Sequence, residues 1–232
     1  LNVLAGGGSL LTMPVLRFMG WSGPVVNGTN RIALLAQNAV AVARFYRHGY
    51  RDFRAGLLLS LCTLPGAVAG ALFGVRLEGV WFNRVLAAVM VAVMILMARG
   101  KRREHAPVSS PSRARAAAAY AALVLVGFYG GFIQAGVGFL VMAVLHRVLG
   151  MDLVRVNMHK VLIVGVYTLA VLPIYALRAG VIWEAGLALA VGNAAGGWIG
   201  SHLNVRGGER WIRRVVLVLM AAMAVKLLLS SL

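Results

Sequence analysis

The chain has 232 residues, 61% hydrophobic and only 12% charged, where a soluble domain carries about a quarter charged residues. One soluble core of this size cannot hide so much apolar surface, so a water-soluble globular protein is excluded and the bilayer is the solvent. The formal net charge of +17 would suggest nucleic acid in a soluble protein, but here Lys and Arg sit in short stretches between apolar runs. That is the pattern of cytoplasmic loops facing anionic headgroups, and no nucleic-acid partner is expected.

Apolar runs long enough to cross, or nearly cross, the hydrocarbon layer lie at 2–19, 32–46, 55–75, 81–98, 116–149, 161–177, 182–203 and 211–230. The first opens on Gly6-Gly7-Gly8-Ser9. The second follows Asn27-Gly28-Thr29-Asn30-Arg31 and carries Gln37 and Asn38, seven residues on and on the same helix face. The third holds Cys62, the single cysteine, which can form no internal disulfide and reads as a small packing residue. Gly66, Gly70 and Gly74 in that run, and Gly192, Gly196 and Gly200 later, keep a four-residue spacing that reads as close helix packing.

Residues 99–115, rich in Arg, Ser and Pro, form a basic linker between a first membrane repeat (1–98) and a second (116–232). The run 116–149 is too long for one span, and Gly127, Gly130, Gly131, Gly136 and Gly138 cluster at its middle. Glycine at that density predicts two short helices joined by a turn, either a re-entrant hairpin or two tight spans. Such backbone survives at membrane depth only when buried in protein or lining a cavity.

An offset of 130 residues brings the two halves into register. Gly6, Gly8 and Gly20 fall on Gly136, Gly138 and Gly150, Asn27 falls on Asn157, and Trp81 and Arg84 fall on Trp211 and Arg214. This reads as a tandem duplication. The first copy has few residues ahead of its Gly pair, so either it lacks an opening helix or the chain extends further upstream; the second is the expectation. If 116–149 enters and returns, 17 Lys and Arg fall on one side and six on the other. The positive-inside rule favours that arrangement. The fold class is therefore an all-α integral membrane protein with two inverted repeats and Gly-rich broken or re-entrant helices, a transporter architecture.

The matched break points Gly6 to Ser9 and Gln134 to Gly138 can direct backbone N–H groups into the interior, as an anion site or simply as close-packing turns. Asn27 to Arg31 and Asn157 to Lys160 each open a helix and end in a cation, to face an anion or to snorkel to the interface. Gln37, Asn38 and Asn193 are interior amides, serving helix contacts or a pathway. All six acidic residues fall in loops or at span edges, which disfavours carboxylate-based ion coupling. His159 and His202 remain as side chains for proton coupling, with an interfacial role as the plainer reading. No metal or cofactor site is expected. Arg, Lys and amides without fixed negative charge favour an anionic substrate.

Ala5-Gly6-Gly7-Gly8-Ser9-Leu10-Leu11-Thr12-Met13-Pro14 resembles the opening Gly-rich segment of the TauE/SafE sulfite-exporter family. Gly130 to Phe139 is similar to its partner in the second half, and the polar stretches at 27–31 and 157–160 fall where that family has Thr- and Lys-containing helix starts. His159-Lys160 departs from the more usual Thr-Lys or Ser-Lys pair. The resemblance implies a multi-pass transporter of sulfite, sulfoacetate, sulfonates or thiosulfate in a bacterial inner membrane, working by alternating access, with room for a homodimer. The candidate substrate-facing residues, read from the turns, cations and amides above, are Gly6, Gly7, Gly8, Ser9, Asn30, Arg31, Gln37, Asn38, Gln134, Gly136, Gly138, His159, Lys160 and Asn193. Competing readings are an anion channel, a non-transporting assembly protein, or an intramembrane protease using Ser9 with His159 or His202.

Overall fold

The computed structural model describes residues 8–47, 49, 52–99, 112–204 and 209–229, with side chains described except at 96–99, 195–204 and 209–216. Among these residues the chain is helical, without strands. In order come α1 (Ser9–Phe18), α2 (Gly23–Arg47), α3 (Phe53–Gly74), α4 (Gly79–Arg99), α5 (Arg113–Phe132), α6 (Val137–Ala143), a π-helical turn (Val144–Val148), α7 (Leu153–Arg178), α8 (Trp183–Asn204) and α9 (Glu209–Leu229). Three of them, α3, α5 and α7, are long and apolar enough to cross a membrane.

The acidic residues fall where helix dipoles want them. Asp152 precedes α7 and accepts from the N–H groups of Val154 and Arg155, both at 3.0 Å. Glu184 lies in the first turn of α8. Each sets a negative charge against the positive end of a helix. Ser112 caps α5 by accepting from the Arg115 N–H, so that helix begins inside the stretch expected to be linker.

The break in the long run falls at the Gln134 to Gly138 break point, at the C-terminal end of the glycine cluster. Gly127, Gly130 and Gly131 lie inside α5, and the chain turns only at 133–136. There Gln134 (φ 61°) and Gly136 (φ 70°) adopt the left-handed conformation, and the Tyr129 hydroxyl donates to the Ala135 carbonyl across the turn. The helical glycines serve packing instead. A Cβ on Gly66, Gly70 or Gly74 of α3 would overlap the carbonyls of Val124, Phe128 and Phe132 on α5. Gly127 and Gly131 meet the backbone of Thr63 and Ala67 in the same way. The paired numbers rise together, so α3 and α5 run parallel in backbone contact. A helical glycine costs about 1 kcal/mol relative to Ala, and the close approach compensates for it. Cys62 in α3 is half-buried and free.

Both polar stretches lie deeper in their helices than expected. The Val26 N–H already donates to the Ser22 carbonyl at 2.9 Å, so Asn27 to Arg31 sit one turn inside α2 rather than at its opening. Asp152 takes the capping role in α7, so Asn157 to Lys160 are likewise internal. Asn27, Asn30, Arg31 and Asn38 are buried, as are His159 and Lys160. Lys160 is therefore an interior cation and not a loop charge, because its side chain faces protein rather than headgroups.

The helix boundaries repeat at an offset of 130. Phe53–Gly74 corresponds to Trp183–Asn204, and Gly79–Arg99 to Glu209–Leu229. Contacts between the halves are exchanged in the same register. A Cβ on Gly56 would lie 2.6 Å from Leu162, and one on Gly186 would lie 2.6 Å from Ile32, the counterpart of Leu162. Helices α2 and α7, counterparts themselves, meet at Gly28 with Tyr175 and at Asn38 with Gly165, so they run antiparallel. Gly196, Gly200, Trp211 and Arg214 fall outside the described side chains.

Candidate functional site

A small cavity of about 20 Å³ opens where the start of α1, the middle of α2, the break before α6 and the first half of α7 converge. Six residues singled out in the sequence line it: Ser9, Gln37, Asn38, Gln134, Gly138 and Lys160. Leu34, Val137, Val161 and Val164 supply its apolar wall. One water needs about 10–15 Å³ of such space, so the cavity as it stands suits a few-atom ligand and must widen for an organic tail.

Lys160 dominates the electrostatics. It is 3% exposed, and its Nζ donates to Asn157 Oδ1 at 2.9 Å and lies 4.0 Å from Met142 Sδ. No carboxylate lines the cavity. Burying an ammonium costs several kcal/mol unless an opposite charge or good hydrogen bonds offset it. A small anion entering the cavity would provide that offset.

Gln134 stands beside it in a conformation that costs a non-glycine residue about 1–2 kcal/mol. Its Nε2 donates to Thr168 Oγ1 at 3.1 Å, and its buried Oε1 has no partner among the described residues. The strain fixes this amide at the cavity edge rather than letting it join a helix. Asn38 Nδ2 donates to the Leu34 carbonyl at 2.8 Å, within its own helix. Gly136 forms the left-handed turn itself, and a Cβ there would lie 3.0 Å from Val93 and 3.5 Å from Leu10. Gly8, the counterpart of the helical Gly138, precedes α1 with right-handed backbone.

Arg31 lies elsewhere. It is fully buried, and its Nη2 donates to the carbonyls of Gly130 (3.0 Å) and Gly131 (2.6 Å) and to Asn27 Oδ1 (3.3 Å). Its guanidinium stacks on Tyr175 at 4.5 Å. Asn27 Nδ2 and the Tyr175 hydroxyl both donate to the Phe132 carbonyl, at 2.7 and 2.9 Å. The last carbonyls of α5, orphaned where the helix breaks, are thus satisfied by three side chains, and a cation meets the negative end of the dipole. The cation that opposed the dipole of its own helix serves the end of another.

His159 turns from the cavity toward the start of α3, with Nε2 3.6 Å from Asp52 Oδ2. Ser9 and His159 therefore do not share a site, and a Ser–His dyad is not assembled between them. Asn30 Oδ1 accepts from the Thr12 hydroxyl at 2.6 Å. Asn193 is half-buried and does not line the cavity. Gly6 and Gly7 lie outside the described residues, and His202 outside the described side chains. Sequence reasoning missed Tyr167, Thr168 and Tyr175. Their signal was three hydroxyls inside the otherwise apolar run 161–177.

A family model described as "Sulfite exporter TauE/SafE" matches residues 1–227. The chain is 24% identical to "Probable membrane transporter protein ORF9" of Sinorhizobium sp, over 98% of this chain and 87% of that protein. It is 26% identical to "Probable membrane transporter protein YfcA" of Escherichia coli (strain K12), over 100% of this chain and 86% of the relative. A "Probable membrane transporter protein" of Xylella fastidiosa (strain 9a5c) is 27% identical over 100% and 90%. No solved structure matches the chain.

Proposed function

The chain belongs to the TauE/SafE sulfite-exporter family of membrane transporters, and on that premise we propose that it carries small sulfur-containing oxyanions across a bacterial inner membrane by alternating access. Sulfite, thiosulfate, sulfoacetate and other sulfonates are the candidate substrates. The observation that carries this reading is the cavity at Lys160: a buried ammonium, two amides of α2, the Gln134 amide and a serine, with no carboxylate in the lining. A sulfur oxyanion offers a full charge and three acceptor oxygens, which one cation and neutral donors complement. The cavity's small volume favours the compact members of the class and requires its walls to move for the longer ones.

The two halves act as inverted repeats in this reading. The antiparallel crossing of the counterpart helices α2 and α7 supports it, since counterparts related by a two-fold axis along the membrane normal would run the same way. The break at 133–136 then lies at membrane depth as the turn of a re-entrant pair, its carbonyls covered by Arg31, Asn27 and Tyr175. Proton coupling would use His159, whose partner Asp52 is half-exposed, or His202. Proteoliposomes loaded with sulfite, thiosulfate or methanesulfonate test it: saturable counterflow of at least one supports the reading, and movement of none refutes it. A conductance that never saturates would make it a channel.

A further inference from the structure

The lining of the Lys160 cavity, carried across the 130-residue offset, maps partly onto itself. Leu34 and Val164 exchange places and both line the cavity, which therefore straddles the relation between the halves. The remaining counterparts do not line it. Lys160 and Val161 map onto Asn30 and Arg31, and Gln37 and Asn38 map onto Tyr167 and Thr168. All four of these counterparts are fully buried.

They also concentrate the unmet hydrogen-bonding capacity of the molecule. Seven buried side-chain nitrogen and oxygen atoms lack a partner among the described residues, and four of them are here: Asn30 Nδ2, Arg31 Nε and Nη1, and Tyr167 Oη. All four can donate. Tyr167 Oη lies beside the Gln134 and Thr168 side chains without a hydrogen bond of good geometry, and a Cβ on Gly130 would lie 3.0 Å from it. Gly130 also gives its carbonyl to Arg31 Nη2, so the guanidinium and the phenol flank one residue. No carboxylate lies within ion-pair reach of Arg31 among the described residues. Unpaired donors beside a buried cation that has no carboxylate partner are costly in a low-dielectric interior, and they persist where a ligand or another conformation satisfies them.

We infer that Asn30, Arg31, Tyr167 and Thr168 form a second oxyanion site, the counterpart of the Lys160 cavity, closed in this structure and opened when that cavity closes. This rests on the alternating-access reading above and adds to it the residues of the opposite-facing state. Three donor groups around a fixed cation match the acceptor oxygens of a sulfite or sulfonate. Arg31 Nη2 keeps its hold on the end of α5 while Nε and Nη1 turn to the anion.

The test uses thiol accessibility in a Cys62→Ala background, with Val161→Cys reporting the first cavity and Thr168→Cys the second site. Membrane-impermeant methanethiosulfonates are applied to right-side-out and to inside-out vesicles. The inference expects Val161→Cys to react from one face and Thr168→Cys from the other, with an anionic reagent outpacing a cationic one at Thr168→Cys. Reaction of both from the same face, no reaction at position 168 from either face, or faster cationic reagent there overturns it. Asn30→Cys gives the same readout should Thr168→Cys not fold. Sulfite movement by the Cys62→Ala parent, which carries neither reporter cysteine, separates the two claims. Opposite-faced labelling without sulfite movement refutes the substrate reading alone, and sulfite movement with same-faced labelling refutes the second site alone.

Discussion

His159 Nε2 lies 3.6 Å from Asp52 Oδ2, joining a buried imidazole beside the cavity lysine to a half-exposed carboxylate at the start of α3. The counterparts of these residues also touch: the Ile182 N–H donates to Thr29 Oγ1 at 3.0 Å. Both contacts join the two halves, one as a titratable pair and the other as a neutral hydrogen bond. Arg155 and Asp152, on and just before α7, are the other charged groups acting on the imidazole.

If His159 carries the coupled proton, replacing it by Gln uncouples transport without stopping exchange. A pH gradient should drive accumulation of sulfite by the wild-type protein and not by His159→Gln, while counterflow at equal pH continues in both. Gradient-driven accumulation surviving in His159→Gln assigns any coupling to another group.

The contact between α3 and α5 predicts a sharp contrast among glycines. Gly131→Val forces the helices apart at the Ala67 carbonyl and should destabilise the purified protein by about 1–3 kcal/mol or more. Gly192→Ala meets nothing within 4 Å and should leave the unfolding temperature unchanged or slightly raised. Thermal unfolding in detergent reads both.

Much of this architecture was legible beforehand. The repeat landmarks recur at the offset at which helix boundaries recur, and the four-residue glycine spacing of α3 gave its packing face. The break at Gln134 to Gly138 was legible too, but the use of the glycines before it was not, because Gly127, Gly130 and Gly131 carry the same composition whether they end a helix or admit a neighbour. Only the partner backbone of α3 distinguishes these uses. Arg31 and Lys160 looked equivalent for the same reason. Each follows an Asn in a matched stretch, and what separates them is the α5 terminus that Arg31 meets, which lies 100 residues away in sequence.

Arg31 therefore has a structural duty that Lys160 lacks. Arg31→Lys cannot reach two carbonyls with one planar group, and unsatisfied carbonyls at a buried helix end cost on the order of 3 kcal/mol. Its unfolding temperature should fall well below that of Lys160→Gln. Equal values for the two variants would remove the capping role.

The strained turn offers a backbone test. Gln134→Gly and Gln134→Ala both delete the amide and its bond to Thr168, so the difference between them isolates the left-handed conformation. The glycine variant should be the more stable by about 1 kcal/mol. Both should bind sulfite more weakly than wild type, since both lose an edge of the cavity.

The central claim is that a small sulfur oxyanion binds against the Lys160 ammonium, and titration calorimetry of sulfite into purified wild-type and Lys160→Gln proteins tests it most directly. The account predicts a dissociation constant raised at least about tenfold, or ~1.4 kcal/mol, at an unchanged unfolding temperature. An equal dissociation constant for the two proteins would contradict it.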